Sequence, residues 1–136
     1  MFTGIITDIG TIKAIRRGEG GEWGDTRMDV FCSYDPDTID IGASIAHAGA
    51  CMTVVEKHRT DDGCWYGFDV SDESLSKTTM GDWDSGDMIN LERALTGKDE
   101  LGGHLVTGHV DGVGTLIDRR PAAGSIDLTF QAPDDI

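Results

Sequence analysis

The pattern that opens this chain opens again near its end. Thr3 through Ile12 returns as Thr107 through Leu116, with Gly4, Gly10 and Thr11 matched by Gly108, Gly114 and Thr115. Met28-Asp29-Val30 returns as Ile126-Asp127-Leu128, and Pro36-Asp37-Thr38-Ile39 as Pro133-Asp134-Asp135-Ile136. Self-similarity at a long, nearly constant spacing of about a hundred residues marks a duplicated structural unit. Residues 1–104 read as one whole unit and 105–136 as the beginning of its twin. The first has ordinary single-domain length and can bury its own core. The second is too short for that, and its strands need a partner surface. A site built from both copies is therefore expected to be half present in this length of chain.

Short strand-like runs dominate the first unit: Ile5 to Ile15, Met28 to Cys32, Ile45 to Val55 with Gly49 inside it, Trp65 to Val70 and Met88 to Leu95. Period-two alternation puts Met28, Val30 and Cys32 on one face. Turn chemistry separates the runs at Gly18–Gly21, Asp61-Asp62-Gly63 and Asp84–Asp87. Many short strands joined by glycine-rich turns predict an all-β antiparallel sandwich or small barrel. Helix is scarce. Pro36 behind Asp35 predicts about one turn. Ser71 as N-cap, with Asp72 and Glu73 in the first turn, predicts a short helix that Gly81 would stop. Gly97 to Gly103 reads as the boundary between copies. Trp23, Trp65 and Trp83 read as core or rim.

The charge excludes some partners. With 25 acidic against 11 basic residues, the net charge is −14, so neither nucleic acid nor an anionic membrane surface is an expected partner. Cys32, Cys51 and Cys64 are odd in number and form no CxxC pair. That is neither a disulfide framework nor a zinc site, and a reducing, cytoplasmic setting is expected. No apolar run approaches membrane-spanning length, and the opening Met1-Phe2-Thr3-Gly4 does not read as a signal peptide.

Polar residues concentrate in two segments. In 102–112, glycines flank His104 and His109, so backbone can approach a ligand closely. On a strand His109 shares a face with Thr107 and Asp111, while His104 falls on the other face unless the chain bends at the glycines. Two surface histidines beside a turn is the bland alternative. Their spacing is wrong for a helical zinc pair and no third ligand is evident, so no metal is expected. In 42–54, Ser44 and Cys51 bracket a strand entry, and Cys51 shares a face with Thr53. A cysteine among small apolar residues is more often a core thiol, and Cys32 and Cys64 keep that reading. Asn90 is polar within a strand, suited either to a ligand or to a neighbouring backbone group. Glu92 and Arg93 beside it read as surface. Phe2 is either a staple closing a barrel or a ring stacked on a ligand.

Taken together, residues 1–6, 42–54, 90–95 and 102–112 resemble the riboflavin synthase family, in correct order and over essentially the whole chain. The resemblance implies a transferase of riboflavin biosynthesis. Each chain would hold two six-stranded Greek-key barrels and a C-terminal helix that helps form a homotrimer. Each barrel would bind one 6,7-dimethyl-8-ribityllumazine, and the active site would form where barrels of two subunits meet. One lumazine donates a four-carbon unit to the other, giving riboflavin and 5-amino-6-ribitylamino-pyrimidinedione with no metal or redox cofactor.

By position, the resemblance puts ligand contacts at Gly4, Ile5 and Ile6, at Cys51, Met52 and Thr53, at Asp69, Val70, Ser71, Asp72, Glu73 and Ser74, and at Gly108, His109 and Val110. Phe2, Ser44, Cys51, Asn90, His104 and His109 match positions tied to activity or binding. Ser74 stands where a threonine is frequent, and Ala50 precedes the cysteine where other residues occur. The family pattern also continues past Ile136, so this chain alone is expected to bind lumazine but turn it over weakly or not at all, as a dimer or another homo-oligomer. The rival is a non-catalytic lumazine- or flavin-binding protein of the same fold, resembling the lumazine proteins of luminous bacteria, which as a family lack the paired histidines.

The chemistry suits these residue types. The lumazine C7 methyl is acidic because the ring delocalises the anion, and imidazole is the side chain whose ordinary pKa best suits removing that proton near neutrality. His109 or His104 is the candidate proton shuttle. Ser44 and Cys51 are candidates to polarise or supply a nucleophile at C7 of the second lumazine. Holding two rings in the right mutual orientation supplies much of the rate.

Overall fold

In the computed structural model, which describes residues 1–22, 24–134 and 136, the alternating segments close on themselves. Trp23, and Asp135 of the repeated Pro-Asp-x-Ile, lie outside the described residues. The strands are β1 (Asp8–Gly20), β2 (Asp25–Cys32), β3 (Ser44–His47), β4 (Ala50–Thr60), β5 (Gly63–Val70) and β6 (Met88–Arg93). They form a closed antiparallel barrel in the order β1-β2-β5-β4-β3-β6. Strands β3, β4 and β5 meander and β6 returns beside β3, which is a Greek-key path.

Inward-pointing side chains fill the barrel. Ile12, Met28, Val30, Ile45, Val54, Tyr66, Phe68, Val70 and Leu91 are each at most 1% exposed. Gly10 has a steric reason: a Cβ there would stand 2.6 Å from Val30 Cγ1 and 2.7 Å from Leu91 Cδ1, so the backbone itself fills the space between two core side chains.

Three local expectations are corrected. The run from Ile45 to Val55 is two strands, because Ala48 and Gly49 both take positive φ (48° and 91°) and close a two-residue hairpin. The pair lacks the Asn or Asp that usually announces such a turn. Ser71 does cap α1 (Asp72–Lys77), its Oγ accepting from Ser74 N at 3.2 Å, but Gly81 does not stop it. Thr78 does: its backbone is extended (φ −130°, ψ 174°). Its hydroxyl donates to Ser74 O at 2.6 Å and accepts from Met80 N at 3.2 Å, starting a 3-10 turn that contains Gly81. The single turn at Pro36–Thr38 forms behind Asp35 as expected.

The third correction concerns the repeat. Strands β7 (Thr115–Ala122) and β8 (Ser125–Gln131) pair only with each other among the described residues. In the barrel, Ile12 faces Val30 and a bulge follows before Ala14; in the hairpin, Leu116 faces Phe130 and a bulge follows before Asp118. Register therefore equates Val30 with Phe130 and Met28 with Leu128, two residues from the match read in the sequence. A two-residue slip preserves the inward and outward faces, so alternation alone cannot detect it. The equivalents of the core residues Ile12, Met28 and Val30 are Leu116, Leu128 and Phe130, which are 47%, 49% and 64% exposed.

One position seen in two environments makes a direct stability comparison. Met28→Ala is expected to lower unfolding free energy by about 2–5 kcal/mol, and Leu128→Ala by less than about 0.5 kcal/mol. Urea unfolding followed by circular dichroism measures both.

Candidate functional site

Four segments distant in sequence meet at one end of the barrel, and a carboxylate joins two of them. Glu92 on β6 is 6% exposed, not the surface residue its sequence neighbourhood suggests. Its Oε1 accepts from Thr3 N at 2.6 Å and Thr3 Oγ1 at 2.8 Å, and its Oε2 accepts from Gly4 N at 3.1 Å. Burying a carboxylate requires such donors, and charge-assisted bonds to backbone N–H groups are strong ones.

The N-terminal segment so held pairs on its other side with the 102–112 motif. Phe2 N donates to Val106 O at 2.8 Å, Val106 N to Phe2 O at 3.0 Å, and His104 N to Thr3 O at 2.9 Å. The motif in turn joins β4: Cys51 N donates to Gly108 O at 2.8 Å. Gly108 is required at this junction. Its φ is +81°, and a Cβ would stand 2.7 Å from Cys51 Cβ and 2.9 Å from Phe2 Cε2. Phe2, 1% exposed, therefore packs into the junction as a staple.

Two clefts flank it. The first, of about 210 Å³, is lined by Cys51, Met52, Glu73, Ser74, Gly108, His109 and Val110 from the expected set, together with Lys77 and Thr78, which sequence reasoning passed over. Lys77 was legible as the last basic residue of α1. The second, of about 320 Å³, is lined by Phe2, Gly4, Ile6, Asn90 and Glu92. The remaining candidates lie elsewhere. Ile5 lines a third cleft with Thr3 and Tyr34. Ser44 and Thr53 face each other across β3 and β4, Ser44 half-buried and Thr53 exposed. Asp69 is engaged by Arg27, Nε to Oδ1 at 2.5 Å. Val70 is core, Ser71 is a cap, Asp72 is an exposed first-turn residue, and the His104 side chain is exposed.

A smaller cavity of about 160 Å³ adjoins the first cleft, sharing Ala50, Thr78 and Val110 with it, and reaches His47. His47 had no role assigned by sequence. It is 1% exposed, its Nε2 is hydrogen-bonded to the Tyr66 hydroxyl at 2.9 Å, its ring lies 4.0 Å from that of Phe68, and its Nδ1 has no hydrogen-bond partner among the described residues. Burial pushes its pKa down from 6.5 to about 3, against the opposing pull of the Ile45 and Ala50 backbone. The imidazole beneath the cleft is thus neutral at physiological pH. Burial likewise raises the Tyr66 phenol well above its ordinary value, so the hydrogen-bonded pair carries no charge.

Known proteins resemble this chain in sequence and fold. Residues 3–94 match the model of the lumazine binding domain. The chain is 41% identical to riboflavin synthase of Brucella abortus, with all of this chain aligned to 66% of that protein. It is 37% identical to riboflavin synthase of Photobacterium phosphoreum, covering 59% of it, and 34% identical to that of Bacillus subtilis, covering 57%. The chain thus spans less than two thirds of the length of these curated relatives. Among solved structures, LumP complexed with 6,7-dimethyl-8-(1'-D-ribityl) lumazine superposes with a TM-score of 0.75 at 25% identity, over 99% of this chain and 71% of that one. LumP complexed with riboflavin gives 0.73 at 24%, over all of this chain and 70% of that one.

Two measurements probe the junction. Glu92→Gln turns an amide N–H₂ toward donors that need an acceptor. It should cost about 1–3 kcal/mol and expose residues 1–6 to limited proteolysis. His47 sets an acid limit. Its folded-state value lies below the ordinary 6.5, so the unfolded chain takes up the proton first. Its contribution is intact above about pH 6.5, is lost as pH falls toward 3 at up to about 1.4 kcal/mol per pH unit, and levels off below. Urea unfolding between pH 7 and 4 should show a shallower acid slope for His47→Gln than for the wild type.

Proposed function

The chain belongs to the lumazine-binding domain family, and from that premise we propose that it carries one half of a riboflavin synthase active site. In this reading residues 1–104 are a complete lumazine-binding barrel and 105–136 are the first hairpin of a second. The substrate is 6,7-dimethyl-8-ribityllumazine, two molecules of which dismutate by four-carbon transfer to riboflavin and 5-amino-6-ribitylamino-pyrimidinedione.

The observation that carries the reading is the bond from Cys51 N to Gly108 O. It brings two distant motifs into one cleft, with Ser74 and Glu73 of the α1 segment opposite. That cleft combines an apolar floor (Met52, Val110) with hydroxyl, carboxylate, ammonium and imidazole groups, which suits a flat heterocycle carrying a polyol chain. At about 210 Å³ it is smaller than the roughly 300–1,000 Å³ of enclosed ligand pockets. A ring bound there keeps an open face, which is where a second barrel with its own lumazine would stack.

The residues take definite parts. His109, which lines the cleft, is assigned to move the C7-methyl proton, in preference to His104, which does not line it. Cys51 or Ser44 is assigned to polarise or supply the nucleophile at C7 of the partner ring, Cys51 being the one that lines the cleft. Phe2 and Asn90 shape the adjoining cleft. Orientation of two stacked rings supplies much of the acceleration, so a lone barrel binds more readily than it reacts. The working assembly is a homotrimer of longer chains in the cytoplasm, and this length of chain pairs at most into a dimer or another homo-oligomer. The second reading, a non-catalytic binder of lumazine or flavin, draws on the likeness to LumP. The two histidines and Cys51 favour the enzyme.

Titration with 6,7-dimethyl-8-ribityllumazine, followed by its fluorescence, should give saturable binding, weakened about fivefold to tenfold by His109→Ala or Ser74→Ala. Riboflavin formation by this chain alone should be weak or absent. Absence of binding removes the proposal, and synthase-level turnover by this chain alone removes the half-site argument.

A further inference from the structure

At the opposite end of β4 from that cleft, Cys32 on β2 and Cys64 on β5 stand directly opposite each other in the antiparallel ladder. Their sulfurs are 3.4 Å apart. Directly opposed residues in such a ladder hold their Cα atoms about 4.5–5.5 Å apart, inside the range a disulfide spans. Both thiols are free, Cys32 half-buried and Cys64 buried. Both line an open cleft of about 480 Å³ whose other walls include Asp8, Asp61 and Asp62, with no cationic side chain among the described lining residues. The third cysteine, Cys51, lines a different cleft.

We propose that Cys32 and Cys64 are a dithiol centre that closes to a cross-strand disulfide by exchange with small neutral or cationic disulfides. Cys32, the more accessible, loses its proton and attacks one sulfur of the reagent. The reagent S–S bond breaks, one half leaves as a thiolate that takes up a proton, and Cys32 holds the other half as a mixed disulfide. Cys64, deprotonated in turn, attacks the Cys32 sulfur and expels the second half. The balance is two protein thiols and one reagent disulfide giving one protein disulfide and two reagent thiols.

Two physical features shape the reaction. Burial pushes the Cys32 thiol up to about 12 and raises Cys64 as well, so thiolate is scarce and the rate climbs with pH. Arg59, opposite Cys64 on β4, is already paired with Asp35 and Asp37, and Lys57 also acts on Cys64; the three carboxylates lining the cleft repel anionic reagents and concentrate cationic ones.

The experiment compares cystamine, a cationic disulfide, with oxidised glutathione, an anionic one, on the folded full chain carrying Cys51→Ser, read by intact mass at low ionic strength. Cystamine should remove two hydrogens from the chain at least about tenfold faster than glutathione disulfide does, with the gap narrowing in high salt. Adding Cys64→Ser should stop the reaction at a mixed disulfide, and adding Cys32→Ser should abolish rapid adduct formation. Peptide mapping of the oxidised wild-type chain should find Cys32 bridged to Cys64, which keeps the proposal open to refutation where a serine variant fails to fold. A bridge made by Cys51, no closure in the folded chain, equal rates for the two reagents, or an undiminished adduct in the Cys32→Ser variant would each overturn it.

Discussion

The architecture of the site depends on one buried carboxylate that finds its donors in a backbone. Glu92 lies in a closed barrel wall, where an unpartnered charge would be prohibitive, and the groups that satisfy it are the N–H of Thr3, the hydroxyl of Thr3 and the N–H of Gly4. That demand fixes the path of the N-terminal segment. Once the path is fixed, Phe2 pairs with Val106 and Thr3 with His104, so the linker after β6 is led back across the barrel end. Only then does Gly108 reach Cys51. The cleft is a consequence of this chain of contacts more than of any residue that lines it. A carboxylate in β6 therefore governs the position of His109 without touching it.

Much of the barrel could be read from residue order, and what could not has identifiable causes. Alternation at Met28, Val30 and Cys32 and glycine-rich turns announced antiparallel strands, because a half-buried strand repeats its environment every second residue. The Ala48-Gly49 turn was hidden because alanine rarely takes positive φ and the usual Asn-Gly signal is missing. Glu92 was hidden because the charge pattern of β6 resembles that of an exposed strand, and its partners lie nearly ninety residues away. Of the residues assigned to ligand contact by family likeness, those next to glycine-permitted close approaches (Cys51, Gly108, His109, Val110) gather in one cleft. Asp69 is instead occupied by Arg27 and Val70 by the core, roles that alternation alone could not separate from ligand contact.

The β7–β8 hairpin repeats the local geometry of β1 and β2. The bulge between Ile12 and Ala14 recurs between Leu116 and Asp118, although the connections differ, a longer glycine-rich loop in the first copy and Ala123-Gly124 in the second. A bulge raises local twist, which a small barrel needs to close. Its retention in a pair of strands that enclose nothing here points to the same curvature being encoded twice. The apolar residues that would benefit from closure, Leu128 and Phe130 among them, lie in solvent. Local geometry is thus specified by the hairpin, while its apolar side chains find no cover among the described residues.

The barrel keeps its two kinds of polar chemistry apart, and β4 is the separator. One end of β4 opens onto the cleft with His109 and Lys77, above a neutral His47 in an uncharged pair with Tyr66. The other end turns at Asp61 and Asp62 beside a paired dithiol. Eleven residues of extended chain, at about 3.3 Å per residue, exceed a Debye length at physiological salt several times over. The acidic rim at the thiol end therefore exerts little field at the cleft. The strong net negative charge of the chain is not concentrated there, since the cleft is lined by one carboxylate, Glu73, and one ammonium, Lys77.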